Sequence, residues 1–302
     1  MIRILLLGRD GQVGWELQRT LQPLGELVTV ERDTCDLTQP AQVRETVRSA
    51  KPDLIVNAAA YTAVDKAESE PALAHSINAE APALLAEEAR RLGAALIHYS
   101  TDYVFDGAKR EPYVEGDPVG PLSVYGRSKL QAEQAIAASG ASNLVLRTSW
   151  VYAARGQNFV RTMLRLARNR ETLQVVDDQI GAPTWARTLA EATALIVARC
   201  AGDRAGIATE LARRGGLYHL TASGSTSWHG LAREIFALVP DPGRRLRSLD
   251  AIPTAAYPTA ARRPANSRLS CARLEQCWSL RMPDWQSALR LCLQDGDPLA
   301  AG

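Results

Sequence analysis

Hydrophobic positions in the first half of the chain come in short unbroken runs, separated by stretches with helical spacing. The runs at 3–7, 27–30, 53–57, 94–99 and 143–147 read as buried strands. Between them, Val13, Leu17 and Leu21 fall on one helical face, and 43–47 continues a helix opened by Thr38-Gln39-Pro40. The alanine- and glutamate-rich stretch 72–92 is a further helix, with Pro82 inside it predicting a kink or break. This alternation specifies an α/β fold: a Rossmann-type, doubly wound parallel sheet with crossover helices. After Trp150 the rhythm changes. Helices are expected at 159–168, 186–199 and 228–239, strands at 173–176 and 217–220, and a turn at Gly181-Ala182-Pro183. The Pro- and Arg-rich stretch 240–268 reads as extended loops with one short strand. The pattern divides the chain into a nucleotide-binding domain, 1–150, and a smaller interleaved substrate domain, 151–302. Segments at about 186–220 return to the first domain.

Composition narrows the function. Lys and Arg total 35 against 33 Asp and Glu, a net charge of +2, without the basic excess that nucleic acid or an anionic membrane demands. No stretch approaches the roughly 18 apolar residues of a membrane span, and the opening apolar run is too short for a secretory signal. The five cysteines and four histidines are scattered without metal-ligand spacing, so they read as packing or surface residues. A reduced, cytoplasmic protein with no bound metal is expected.

The first strand ends in Gly8-Arg9-Asp10-Gly11-Gln12-Val13-Gly14. Glycines allow a sharp turn, close approach of backbone to a pyrophosphate, and tight seating of helix on strand. The helix that follows offers unpaired N–H groups and the positive end of its dipole to phosphates. Glu31 closes the second strand, where a carboxylate can accept from the adenosine ribose hydroxyls. Arg9 and Arg32 stand nearby as partners for a 2′-phosphate, so NADH and NADPH both remain open. Asp36-Leu37 and Ala60-Tyr61-Thr62 end later segments where a dinucleotide would cross the sheet edge, packing being the other reading of Leu37 and Ala60.

Tyr125-Gly126-Arg127-Ser128-Lys129 holds the most informative pair. Spacing of four puts both side chains on one helical face. With 8 tyrosines and lysines only at 51, 66, 109 and 129, chance supplies such a pair roughly 0.1 times. Reduction of a ketone by hydride needs a proton donor for the forming alkoxide, and an adjacent ammonium would favour the phenolate. Thr101 and its neighbours Ser100 and Asp102 end a strand where hydroxyls could polarise the carbonyl, and Asn78 is a candidate for a water relay.

Glycine turn, Thr101 and the Tyr125/Lys129 pair together resemble the extended short-chain dehydrogenase/reductase superfamily. Longer strings resemble one family within it, the dTDP-4-dehydrorhamnose reductases. These are GQVGWEL at 11–17, NAAAYTAVDKAE at 57–68, STDYVF at 100–105, RTSWVY at 147–152, DQIGAPT at 178–184 and ARRPANSRL at 261–269. The resemblance implies NADPH- or NADH-dependent reduction of the C4 ketone of a dTDP-linked 4-keto deoxysugar. That is the last step of dTDP-rhamnose synthesis for cell-surface polysaccharide. It casts Tyr125 as acid, Lys129 as its partner and Thr101 as the hydroxyl that tunes them. Thr101, Asp102 and Trp150 would touch the sugar, and Gly11, Gln12, Val13, Glu31, Asp36, Leu37, Ala60, Tyr61, Thr62 and Tyr99 the cofactor. Two departures stand out. Glu31 replaces the aspartate of close relatives at the ribose position. Where some members hold magnesium through carboxylates at a homodimer interface, this chain carries Arg187 in one such region. Arg262 and Arg263 either pair with a diphosphate or brace the loop between domains.

The alternatives differ in chemistry. A dehydratase of the same superfamily needs a second carboxylate after Thr-Asp, where this chain has Tyr103. An epimerase is not separable by sequence. A non-catalytic regulatory subunit of this fold would be under no chemical demand to keep both Tyr125 and Lys129.

Overall fold

The computed structural model describes residues 1–201 and 206–295. In the first half, strands β1 (Ile2–Leu7), β2 (Gly25–Val30), β3 (Leu54–Asn57), β4 (Ala95–Thr101) and β5 (Ser142–Thr148) alternate with helices. The helices are α1 (Gln12–Leu21), α2 (Pro40–Ala50), α3 (Val64–Ala67), α4 (Pro71–His75), α5 (Ala81–Leu92) and α6 (Val124–Ser139). Strand residues point alternately to the two sheet faces. Ile4 and Leu6 of β1 therefore pack with Leu17 and Leu21 of α1, while Leu5 and Leu7 pack with Val43 of α2 and Leu85 of α5. Burial on both faces is why these strands read as unbroken apolar runs.

The second half contributes β6 (Val151–Tyr152), β7 (Thr172–Val176), β8 (Ile180–Gly181), β9 (Thr184–Trp185), β10 (Gly216–His219), β11 (Thr226–Ser227) and β12 (Ser248–Ile252). Its helices are α7 (Phe159–Asn169), α8 (Ala186–Ala201), α9 (Ile207–Arg214), α10 (Trp228–Leu238), α11 (Ala272–Trp278) and α12 (Trp285–Gln294). All six strands of the main sheet are parallel, in the order β10-β5-β4-β3-β1-β2. The chain leaves β1 for β2 on one side and returns to β3 on the other, so a crevice opens at the carboxyl ends of β1 and β3, where ligands bind in doubly wound sheets. From the later part of the chain, β10 pairs with β5, and Leu189 and Ile196 of α8 join the core that Leu17 and Leu21 of α1 occupy. Residues 202–205, inside the expected returning segment, and 296–302 lie outside the described residues. A second apolar cluster holds Val160 and Leu164 of α7, Leu231 and Ile235 of α10 and Leu289 of α12, beside the parallel pair β7–β12.

Pro82 does not break its helix. It sits in the first turn of α5, immediately after a π-helical turn at Ser76–Glu80. There Ala81 N–H donates to Ser76 O, five residues back, and the wider turn spares the proline the bond it cannot make. Among the described residues no helix is long and apolar enough to cross a membrane.

Candidate active site

The carboxyl edge of the sheet gathers most of the residues singled out above. Gly8 follows β1 with a left-handed φ of +80°, and a Cβ there would meet Ala59 N at 2.5 Å. Gly14 packs so closely that a Cβ would lie 2.0 Å from Gly8 O. Gly11 caps α1 without any side-chain hydrogen bond, leaving the first N–H groups of the helix free to meet an anion. Val13 packs against the core, and Gln12 bonds to Val151 O and to Asn158 across from the second half. A glycine-lined turn with open N–H donors fits a dinucleotide pyrophosphate.

Glu31 stands just past β2 and is ion-paired with Arg9, whose guanidinium also donates to Thr29 Oγ1 at 3.2 Å. The two groups expected to choose between ribose hydroxyl and 2′-phosphate thus hold each other. Asp36 accepts from Thr38 N and Oγ1, both at 2.9 Å, and these bonds keep its carboxyl below the usual range. Leu37 packs on the core beneath α2. Tyr61 turns its phenol to Glu70 Oε2 at 2.6 Å, while Thr62 is exposed and Ala60 half-buried. The Asn78 side chain accepts from Tyr61 N and donates to Tyr61 O and Ser128 Oγ, at 2.8, 3.0 and 3.1 Å. These bonds tie the Asn78 side chain to the loop at Tyr61 and to Ser128.

The catalytic candidates meet at the ends of β4 and α6. Ser123 caps α6 by accepting from Gly126 N, which sets Tyr125 in the first turn and Lys129 one turn on. The Tyr125 phenol is half-buried, with Thr101's hydroxyl as its hydrogen-bonding neighbour and Tyr103's ring edge-on at 5.9 Å. Thr101 in turn donates to Asp102 Oδ1 at 2.9 Å. Burial pushes the Asp102 carboxyl up to about 7, and its Oδ2 has no hydrogen-bond partner although Ser267's hydroxyl lies beside it.

Lys129 differs from expectation. It is 1% exposed, and Nζ lies 2.6 Å from Tyr99 O and 3.0 Å from His98 Nε2. Burial lowers its pKa to about 7. Tyr125, raised by burial to about 12, feels Thr101 and Asp102 rather than Lys129. Lys129 Nζ is turned to β4, and the pKa of the phenol is set by burial, Thr101 and Asp102. Tyr99 reaches the site only through its carbonyl, since its phenol bonds Thr193 Oγ1 of α8 at 2.6 Å. His98, read from sequence as a packing residue, proves to be a hydrogen-bonding partner of Lys129.

Trp150, with φ of +47°, stacks on Trp228 at 3.5 Å and 6°. Trp228 was invisible as a site residue because it opens an ordinary amphipathic helix. It also lines a cavity of about 760 Å³ with Phe159, Arg170, Gln179, Tyr257 and Arg263. Arg263 braces Asp65 through two bonds, at 2.7 and 3.1 Å, and so serves the loop whatever else it does. Arg187 bridges Glu16 at 3.1 Å and Asp295 at 2.5 Å.

A family model described as "RmlD substrate binding domain" matches residues 2–297. A dTDP-4-dehydrorhamnose reductase of Burkholderia thailandensis is 50% identical over 298 residues, covering 97% of this chain and 99% of that protein. The chain belongs to the dTDP-4-dehydrorhamnose reductase family. A reductase of that name from Escherichia coli K12 is also 50% identical, over 97% of this chain and 98% of its own length. Among solved structures, the dTDP-4-dehydrorhamnose reductase of Bacillus anthracis in complex with NADP superposes with a TM-score of 0.86 at 33% identity. It covers 98% of this chain and 99% of that one. The family's fold, a parallel sheet with helices on both faces, is the one described above.

Proposed function

We propose that this protein reduces the C4 ketone of dTDP-4-dehydro-L-rhamnose to dTDP-L-rhamnose with NADPH or NADH, in the cytoplasm. Beyond family membership, the observation that carries the reading is the Tyr125 phenol, set against the Thr101 hydroxyl beside the crevice between β1 and β3. The reduced nicotinamide, when bound, supplies the hydride that C4 receives. The glycine turn 8–14 and the open end of α1 would hold its pyrophosphate, Glu31 with Arg9 its adenosine ribose, and Lys129 its other ribose.

At the sugar, Tyr125 gives its phenolic proton to the C4 oxygen as the carbonyl becomes an alcohol. A pKa raised to about 12 keeps that proton in place at neutral pH, the form a reductase needs at rest. For Thr101 to support the phenolate left behind, its hydroxyl would turn its one hydrogen from Asp102 Oδ1 to the Tyr125 oxygen. Asp102, with an unpartnered oxygen, would accept from a sugar hydroxyl. The cavity lined by Trp228, Arg170 and Arg263 suits a nucleoside diphosphate, offering aromatic faces and guanidinium groups to a base and to phosphates. We therefore assign dinucleotide binding mainly to residues 1–150 and sugar-nucleotide binding mainly to 151–302.

The test is NAD(P)H oxidation with dTDP-4-dehydro-L-rhamnose. Tyr125→Phe should lose on the order of 10²–10⁴ in kcat while NADPH binding survives. Near-normal turnover by that variant would remove the phenol from the reaction, and no turnover by the wild type would leave only the scaffold. Sedimentation distinguishes a monomer from the homodimer that the sequence resemblance allows.

A further inference from the structure

A line of buried polar groups runs from the glycine turn to the lysine. Ala59 N, against which Gly8 packs, donates to Asn57 Oδ1 at 3.1 Å. A backbone N–H can only donate, so it fixes the Asn57 amide with Oδ1 toward Ala59 and Nδ2 toward β4. Asn57 Nδ2 lies 3.1 Å from His98 Nδ1. The amide nitrogen is itself a donor, so Nδ1 must accept, and the hydrogen of a neutral ring then sits on Nε2. His98 Nε2 lies 3.0 Å from Lys129 Nζ. An ammonium has no lone pair to accept that hydrogen, whereas a free amine does, and it still has a hydrogen for Tyr99 O at 2.6 Å.

We propose that Asn57 and His98 are positioning residues that hold Lys129 as a free amine in the cofactor-free enzyme. To become an ammonium, Lys129 takes one proton, and Nε2 must give up its hydrogen and accept. The ring hydrogen then sits on Nδ1, and Asn57 must turn its carbonyl to meet it, abandoning Ala59. Protonation of the lysine is thereby coupled to the loop after β3, and the net change is one proton gained from solvent. The proposal rests on the reading of Lys129 as the residue that would hold the second ribose of the cofactor.

Burial keeps His98 neutral, well below its usual range, and a protonated Lys129 would push it the same way. The ionisable groups around the line are Glu133 on the lysine's own helix, Arg147 of β5, Tyr99, Tyr125 and Asp102. Arg147 holds Glu133 through bonds of 2.9 and 2.6 Å. Glu133 alone of these raises the Lys129 pKa, and burial outweighs it.

The other lysines, 51, 66 and 109, can be exchanged for arginine, leaving Lys129 as the single lysine for labelling with 13C at Cε. In cofactor-free protein its signal should titrate with a midpoint below pH 8, and the 15N shifts of His98 at pH 8 should place the hydrogen on Nε2. Asn57→Asp lets one carboxylate accept from both Ala59 N–H and Nδ1–H, which makes Nε2 an acceptor. His98→Gln lets the introduced amide turn its oxygen to Nζ without adding charge. Each should move the Lys129 midpoint up by at least one pH unit, a tenfold change, and shift the pH profile of kcat with it. A wild-type Lys129 that stays protonated above pH 9, a hydrogen on Nδ1, or midpoints unmoved in both variants overturns the proposal. The wild-type spectra decide it even if neither variant folds. Because they need no turnover, failure here is distinct from failure of the reductase reading, which the keto-sugar assay reports.

Discussion

A single carboxyl illustrates how burial sets chemistry at the residue scale. The Asp102 pKa, raised by burial to about 7, exceeds its unfolded value, so between about pH 4 and 7 the folded protein binds the extra proton. Its contribution to stability is present at low pH and is lost as pH rises through 7. Asp102→Asn should therefore gain on wild type by a few kcal/mol, as an order of magnitude, in denaturant melts moved from pH 4 to pH 8. A gap that stays constant across that range would mean that the carboxyl is ionised throughout. Residues at this scale were unevenly legible. Tyr125, Lys129 and Thr101 announced themselves by spacing and by strand-end position. His98 and Asn57 did not, because a polar residue in an apolar strand shows no sign of what it will face across a sheet. Nor does spacing reveal that Lys129 turns to β4 instead of to its helical neighbour.

Elements were legible where they were long. The five early strands and the helices between them carry continuous period signals, whereas β6, β8, β9 and β11, each of two residues, carry none. The loops that those short pairs pin down bring Trp150, Trp228 and Gln179 together, and that grouping was hidden for the same reason. The junction of β1 with α1 has no room for a side chain at Gly14. Gly14→Ala would press a methyl into Gly8 O, which has no flexible end to retreat. The expected result is a loss of about 1–3 kcal/mol in unfolding free energy and at least tenfold weaker NADPH binding, read by fluorescence titration. Unchanged affinity would show that the turn does not carry the pyrophosphate.

One of the apolar cores joins the beginning of the chain to its later part. Leu17 and Leu21 from the beginning of the chain share it with Leu189, Ile196, Tyr218 and Trp278 from the later part. Calorimetry should accordingly give a single unfolding transition, its calorimetric and van't Hoff enthalpies agreeing. Two separate peaks would mean that the regions on either side of Trp150 hold themselves up alone. The place of β10 has a further consequence for how the protein is made. Its partner β5 leaves the ribosome roughly 70 residues earlier, an interval of about 4–14 s during which a nascent apolar edge waits uncovered. That wait is the window in which a chaperone, or a neighbouring chain on the same polysome, competes for the strand.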